Sequence, residues 1–298
     1  MSEQILTESS NPNTNNIDLM NGEQIAALIN QEDMKVATAI TSQVSLIGQA
    51  IELIADAFKQ KGRLGYFGAG TSGRIGILDA SECPPTYGTN PSMVQGFIAG
   101  GEKAITHSVE AAEDSIIFAT EDINTFAPTN NDIVVAVSAS GNPVYTLEVL
   151  RLAQQQGAKT IAITTNPKAK FKTFADIFIC AEVGAEAITG STRMKSGTAQ
   201  KMILNMLTTG AMIRLGKTYH NLMIDMRPTN DKLKNRAKHI VSDICHIDFE
   251  AAEEFLKKSN HNVKLACIMA IKHYTLEQAE QILEQHHGLL RSVIGDNE

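Results

Sequence analysis

Glycines, hydroxyls and a few carboxylates are the residues of this chain whose spacing suggests chemistry. The densest grouping is Gly68-Ala69-Gly70-Thr71-Ser72-Gly73, between an apolar run (Leu64, Tyr66, Phe67) and a helically spaced one (Ile75, Ile77, Leu78). A strand, a glycine turn and a helix starting near Gly73 would aim backbone N–H groups and a positive helix end at an anion. Thr71 and Ser72 add hydroxyls that suit the oxygens of a terminal phosphate. Glu82 follows, ahead of Cys83 and a stop expected at Pro84-Pro85, so a phosphate cradle and a carboxylate are expected close together.

The turn also spells G-x-G-x-x-G. A dinucleotide site wants an acidic residue about 20 positions on, after the next strand. The acid after the strand candidate Met93–Ala99 is Glu102, which comes late. A Walker A loop fails at Arg74 and Ile75, where Lys and Ser or Thr are required. A tight strand-to-helix turn without a ligand would use the same glycines.

Similar turns recur. Ser138-Ala139-Ser140-Gly141-Asn142 and Thr164-Thr165-Asn166-Pro167 each follow an apolar run, and the stretch from Glu186 to Thr198 leads into a helix through Met202, Leu204 and Leu207. Ser191 or Thr192 is expected to cap that helix. Arg193 and Lys195 put cations at its start, which is unfavourable unless an anion binds there. The candidate binding set is Gly70, Thr71, Ser72, Ser138, Ser140, Gly141, Glu186, Ser191, Thr192, Arg193 and Lys195. Glu82, Glu113 and Glu186 are the carboxylates near predicted strand ends or turns, Glu113 within the charged run Glu110–Asp114.

The elements that must hold these residues follow from periodicity. Strands are expected at 64–68, 94–99, 132–138, 159–164 and 176–181, with helical stretches at 74–82, 104–122 and 143–156. The run Ile133–Val137 is apolar without alternation, so both faces should be covered. That pattern predicts an α/β fold with a parallel sheet between helices, whose ligands bind at the strands' carboxyl ends. Residues 1–20 read as a polar extended arm, and helical periodicity runs from Gly22 through Val36, Ile40, Val44, Ile47 and on to Phe58. Residues 230–298 read as roughly four short helices split near Asn260 and Tyr274.

The 298 residues carry a net charge of −7, with 43% hydrophobic and 20% charged side chains. That balance suits a soluble globular protein and argues against nucleic acid as a partner. No run approaches a membrane span, and no apolar signal region opens the chain. The four cysteines and eight histidines show no metal-ligand spacing, so no metal and no cofactor are expected, and the thiols suit a cytoplasmic protein.

The Ser/Thr/Gly loop paired with a later Ser-x-Ser-Gly loop resembles the SIS (sugar isomerase) domain, a flavodoxin-like three-layer αβα fold. More narrowly, GAGTSGRIGILDASECPPTYG (68–88), VEAAEDS (109–115), GSTRMKSGTAQKMILNMLTT (190–209) and NLMIDMRPTNDKLKNRA (221–237) resemble the N-acetylmuramic acid 6-phosphate etherase family along nearly the whole chain. The resemblance implies cleavage of the lactyl ether of N-acetylmuramic acid 6-phosphate, without metal or nucleotide. It assigns Glu82 and Glu113 as the acid/base pair, with Glu82 protonating the leaving lactate and Glu113 taking the C2 proton. It also implies a homodimer, divided into an N-terminal arm and helices (1–55), an SIS domain (56–219) and a helical C-terminal domain (220–298). Two positions depart from the family pattern. Asn142-Pro143-Val144 replaces Arg-Thr-Pro after the second loop, and Ala111 replaces a glycine ahead of Glu113. Two alternatives stay open. One is a sugar-phosphate isomerase with Glu186 as base. The other is a non-catalytic sugar-phosphate sensor, which would want a basic partner module, whereas residues 1–60 carry only Lys35 and Lys59.

Overall fold

The computed structural model describes residues 6–226 and 230–295, so positions 227–229 of the block 221–237 lie outside the described residues. The chain divides into two compact units, Met1–Ser81 with Pro91–Thr208, and Glu82–Asn90 with Thr209–Glu298.

The first unit is built on five parallel strands: β1 (Leu64–Gly68), β2 (Val94–Ile98), β3 (Ile133–Val137), β4 (Lys159–Thr164) and β5 (Ile177–Cys180). Their spatial order is β2-β1-β3-β4-β5. β1 and β3 are buried along their whole length. Helices cover both faces of such a sheet, which is why these runs are apolar without alternation. The order reverses between β1 and β3, paired in parallel from Leu64↔Ile133 to Gly68↔Val137. A crevice forms at such a switch point, beyond the strands' carboxyl ends.

The helices of this unit are α1 (Gly22–Thr41), α2 (Val44–Lys59), α3 (Gly70–Tyr87), α4 (Lys103–Thr106), α5 (Ile116–Phe126), α6 (Val144–Gln155) and α7 (Lys195–Arg214). Two of the three unit boundaries fall within α3 and α7, and the third lies between α3 and β2. Asn21 and Gln24 form a capping box that starts α1. The periodic stretch expected to be continuous breaks at Ser42-Gln43, where Gln43 Oε1 accepts from Cys180 N at 3.0 Å. That bond joins the N-terminal helices to the sheet's unit, so they do not form the separate segment expected. The arm is also not extended. Residues 6–19 make three 3-10 turns with Thr7, Asn11 and Thr14 buried.

α3 differs from expectation at both ends. It begins at Gly70, and it runs through Pro84 and Pro85 to Tyr87. Proline's fixed φ is helical; its costs are a missing N–H and a clash with the carbonyl four residues back, so a proline pair near a helix end weakens the last turn without ending it. Gly88 N still closes on Pro84 O at 3.0 Å.

In the second unit a two-stranded ribbon, β6 (Thr218–Tyr219) and β7 (Leu222–Met223), precedes α8 (Asp231–Cys245), α9 (Phe249–Lys258), α10 (Val263–Lys272), α11 (Leu276–Gln285) and α12 (Leu290–Ile294). Ile240, Val241 and Ile244 pack with Leu256 and with Ala266, Cys267 and Ile268 in its core. Four of these five helices start at a side-chain cap: Asn230, Asp248, Asn262 and Thr275.

Candidate active site

The turn after β1 and the turn after β3 stand side by side because their strands are neighbours. Gly73 lies against Gly68, so that a Cβ on Gly73 would meet Gly68 O at 2.6 Å. The helix therefore starts directly on the strand end. Gly70 and Thr71 are its first residues, and their N–H groups meet no acceptor among the described residues. Such groups are open to an anion. In the second turn Ser138 Oγ accepts from Gly141 N at 3.0 Å. Gly141 has φ +66°, and a Cβ there would meet the Ala169 Cβ at 2.3 Å. Gly141 thus shapes the turn from behind.

Together these turns line a cleft of about 330 Å³. Gly70, Thr71 and Ser72 come from the first turn, and Ser138 and Ser140 from the second. Gly190 and Thr192 come from the loop before α7, Thr7 and Glu8 from the arm, and Glu113 from a 3-10 turn, Ala112–Asp114. Glu113 is exposed, and no group of the described residues bonds its carboxylate. The turn that carries it is entered through Ala111 at φ 57°, ψ 6°. This left-handed conformation is the one glycine adopts without cost. The expected helix 104–122 is accordingly interrupted: α4 is one turn long, and α5 starts only after Ser115 caps it by accepting from Phe118 N at 3.2 Å.

Other candidates do different work. Glu186 is wholly buried, and its two oxygens accept from Lys195 N and Ser196 N, each at 2.9 Å. It caps α7, the role expected of Ser191 or Thr192, and its complete burial sets it apart from the exposed Glu113. Lys195, 1% exposed, pairs with Glu32 Oε2 at 2.7 Å. Lys35 and Asn13 also donate to Glu32. Burial alone would raise the Glu32 carboxyl, but these donors outweigh it and lower it to about 2. The cation at Lys195 is therefore neutralised from within, and it is not held for a phosphate. Arg193 is exposed, and neither it nor Ser191 lines the cleft. Thr164 and Thr165 donate to Ala139 O at 2.9 and 3.1 Å and so brace the second turn from below. Asn142 accepts from Lys170 N at 3.2 Å, giving the departure from Arg-Thr-Pro a structural use.

Glu82 is exposed and does not line this cleft. It lies on α3 roughly 18 Å of helical rise beyond Gly70, at 1.5 Å per residue. α3 continues unbroken from Gly70 through Glu82 to Tyr87, with no stop at Pro84-Pro85.

An SIS domain model matches residues 115–210, and a glucokinase regulatory protein N-terminal SIS domain model matches residues 46–154. The chain is 46% identical over 290 residues to the N-acetylmuramic acid 6-phosphate etherase of Actinobacillus pleuropneumoniae serotype 5b, covering 97% of this chain and 95% of that one. It is 48% identical to the etherase of Yersinia pestis strain Pestoides F, covering 97% and 98%. The chain belongs to the N-acetylmuramic acid 6-phosphate etherase family. In fold this etherase family member is also similar to a Bacteroides fragilis crystal structure described as a phosphosugar isomerase involved in capsule formation. That match has a TM-score of 0.50 and 24% identity, and covers 64% of this chain and 90% of that one.

Two contributors to the etherase cleft are missing from the residue-based reading. Glu8 adds a carboxylate, whose Oε2 lies 3.2 Å from where a Cβ on Gly190 would sit. Gln200, buried on α7, accepts the Ser72 hydroxyl through Oε1 at 2.9 Å while its Nε2 has no partner. The helical position of Gln200 toward α3 is the only sequence signal for it. Lower on the same helices, Asp79 accepts from Asn205 Nδ2 at 2.7 Å and from Thr208 Oγ1 at 3.0 Å, locking α3 to α7. Burial raises the Asp79 carboxyl despite these bonds.

Proposed function

We infer that the chain cleaves the D-lactyl ether of N-acetylmuramic acid 6-phosphate, giving N-acetylglucosamine 6-phosphate and D-lactate, in peptidoglycan recycling and amino-sugar catabolism. The observation that carries this reading is the shared cleft. Anion-binding N–H groups and hydroxyls meet one unpartnered carboxylate, Glu113, while Glu186 is withheld as a helix cap. An isomerase of the same fold with Glu186 as its base is disfavoured by that burial.

The phosphate sits on the N–H groups of Gly70 and Thr71, with Thr71, Ser138 and Ser140 around it. Ser72 donates to Gln200 Oε1 at 2.9 Å. Rotation of the Gln200 amide lets Nε2 donate to Ser72 Oγ and frees the Ser72 hydroxyl for the phosphate. Opening of the sugar ring makes the C2 hydrogen acidic, alpha to an aldehyde. Glu113 takes that proton. The C2–H and C3–O bonds break, C2=C3 forms, and lactate leaves with a proton from a carboxylic acid. Water then adds to C3, and a proton returns to C2. General acid–base help of this kind supplies about 10²–10⁴-fold for each group.

Glu82 is the acid in this reading, supplied by a second copy of the chain across a homodimer interface. What supports this is its exposure on α3, three turns from the anion-binding end, and the exposed apolar side chains Leu78 on α3 and Ile116 and Ile117 on α5. The four free cysteines, three of them buried, suit a cytoplasmic setting. The direct test is D-lactate release from N-acetylmuramic acid 6-phosphate by the purified chain. For the shared site, Glu82→Ala and Glu113→Ala chains are inactive alone. Unfolded and refolded together, they regain about a quarter of wild-type activity if the acid comes from the other copy, and none if both groups act within one chain.

A further inference from the structure

A second cleft of about 330 Å³ adjoins the first and shares Ala69, Gly70 and Glu113 with it. Its own wall carries Arg74, His107 and Ser108. Arg74 stands where a Walker loop would have lysine, and the mechanism above does not use it.

The Arg74 guanidinium is half-buried and has only neutral partners. Nε donates to Ile105 O at 2.7 Å, and Nη2 donates to Ala104 O at 2.8 Å and His107 O at 3.1 Å. No carboxylate of the described residues pairs with it, and Nη1 makes no hydrogen bond to the protein. A chain of net charge −7 thus keeps an uncompensated cation in a cleft wall. Three carbonyls fix its plane and leave the Nη1 hydrogens to donate to an anion. Glu110 also lines the cleft but is exposed to water.

We propose that this second cleft is a carboxylate subsite, in which Arg74, helped by His107 and Ser108, receives the carboxylate of the group ether-linked to the sugar. The inference rests on the etherase reading and deepens it. With the phosphate on the hydroxyl turns and C2 at Glu113, the C3 ether lies on the divider between the clefts. Its lactyl carboxylate then reaches across Glu113 to Arg74. The subsite makes the enzyme select acidic C3 ethers over neutral ones, and it holds the leaving group while C3–O breaks.

The test is the ratio of kcat/KM for N-acetylmuramic acid 6-phosphate to that for its lactamide, in which the carboxylate is a carboxamide. Wild type should prefer the acid by about 10- to 100-fold, the size of a charge-assisted contact. Arg74→Gln should bring the ratio to within about threefold. A ratio is insensitive to general damage, so a variant that slows both substrates equally overturns the proposal. Should Arg74→Gln fail to fold, Ser108→Asp decides on an exposed position. A new negative charge in the cleft should lower the ratio at least about tenfold, and an unchanged ratio overturns the subsite. Equal cleavage of acid and amide by wild type also overturns it. Absence of D-lactate release from either substrate by wild type would instead remove the etherase reading beneath it.

Discussion

The 3-10 turn that carries Glu113 and the start of α7 both hold a carboxylate beside a glycine-containing loop, and they use it in opposite ways. At α7 the Glu186 oxygens are bound to two backbone N–H groups, and the neighbouring Lys195 is neutralised by Glu32. Glu186 and Lys195 are both matched inside the protein. At the 3-10 turn Glu113 stands exposed beside free N–H groups and hydroxyls. A buried carboxylate held by backbone N–H groups sets architecture, whereas an exposed one left open can move a proton. The contrast separates two glutamates that look alike along the chain.

The largest test of this contrast is Glu113→Gln. Ether cleavage should fall about 10²- to 10⁴-fold, and exchange of the C2 hydrogen of N-acetylglucosamine 6-phosphate in deuterated water should vanish. Thermal unfolding should change by no more than about 0.5 kcal/mol, because the side chain is exposed. Glu82→Gln should also stop cleavage but keep the exchange, since the base remains. The reverse exchange pattern would swap the two roles.

Glu32 tests the matched side. Glu32→Gln leaves Lys195 buried without its counter-charge and should cost about 3–5 kcal/mol in denaturant unfolding. The pH dependence has a definite sign. The folded carboxyl, at about 2, lies below its unfolded value near 4.5. Its contribution is complete above the unfolded value and is lost as pH falls from there through about 2. Wild type should therefore lose stability over that window more steeply than the variant. Parallel pH curves would remove the ion pair from the account of α7.

Glu186→Gln should lower stability by about 2–3 kcal/mol, since one of two charge-assisted acceptors becomes a donor facing an N–H. The melting temperature should drop by about 4–10 °C. Residual cleavage measured well below the melting point should stay close to wild type. A loss of activity at unchanged stability would return Glu186 to the role of a base.

The smallest effect concerns the entry to the turn that carries Glu113. Ala111→Gly relieves a left-handed alanine worth about 1–2 kcal/mol, partly offset by the greater freedom of glycine in the unfolded chain. A net gain of up to about 1 kcal/mol is expected, with kcat/KM unchanged or raised. A clear destabilisation would mean that the turn draws support from the alanine methyl.

Much of the sheet was legible because buried strands are apolar on both faces. The β1 and β3 runs are continuous, so their positions could be read directly. The helix break at Ser42-Gln43 was not legible, because Ile40, Val44 and Ile47 keep helical spacing across it. The start of the 3-10 turn was hidden for a related reason: Ala111 is a good helix former, and only its φ betrays the left-handed step. Proline suggested a stop in α3, but its φ fits the last helical turn.

The amino-acid sequence by itself determined the parallel α/β architecture, the strand-to-helix glycine turn at Gly68–Gly73 and membership of the etherase family. These rest on local spacing and on long matched blocks. Tertiary structure decided which polar side chains face the cleft. Thr71 opens into it while Thr164 and Thr165 turn under the second loop. Lys195 is drawn inward by Glu32, 163 residues away, while Arg193 stays outside. A short polar side chain on a loop has no periodicity to reveal its direction. That direction follows from whichever partner the folded chain places beside it, and for buried groups the cost of leaving a charge or donor unmatched makes the choice.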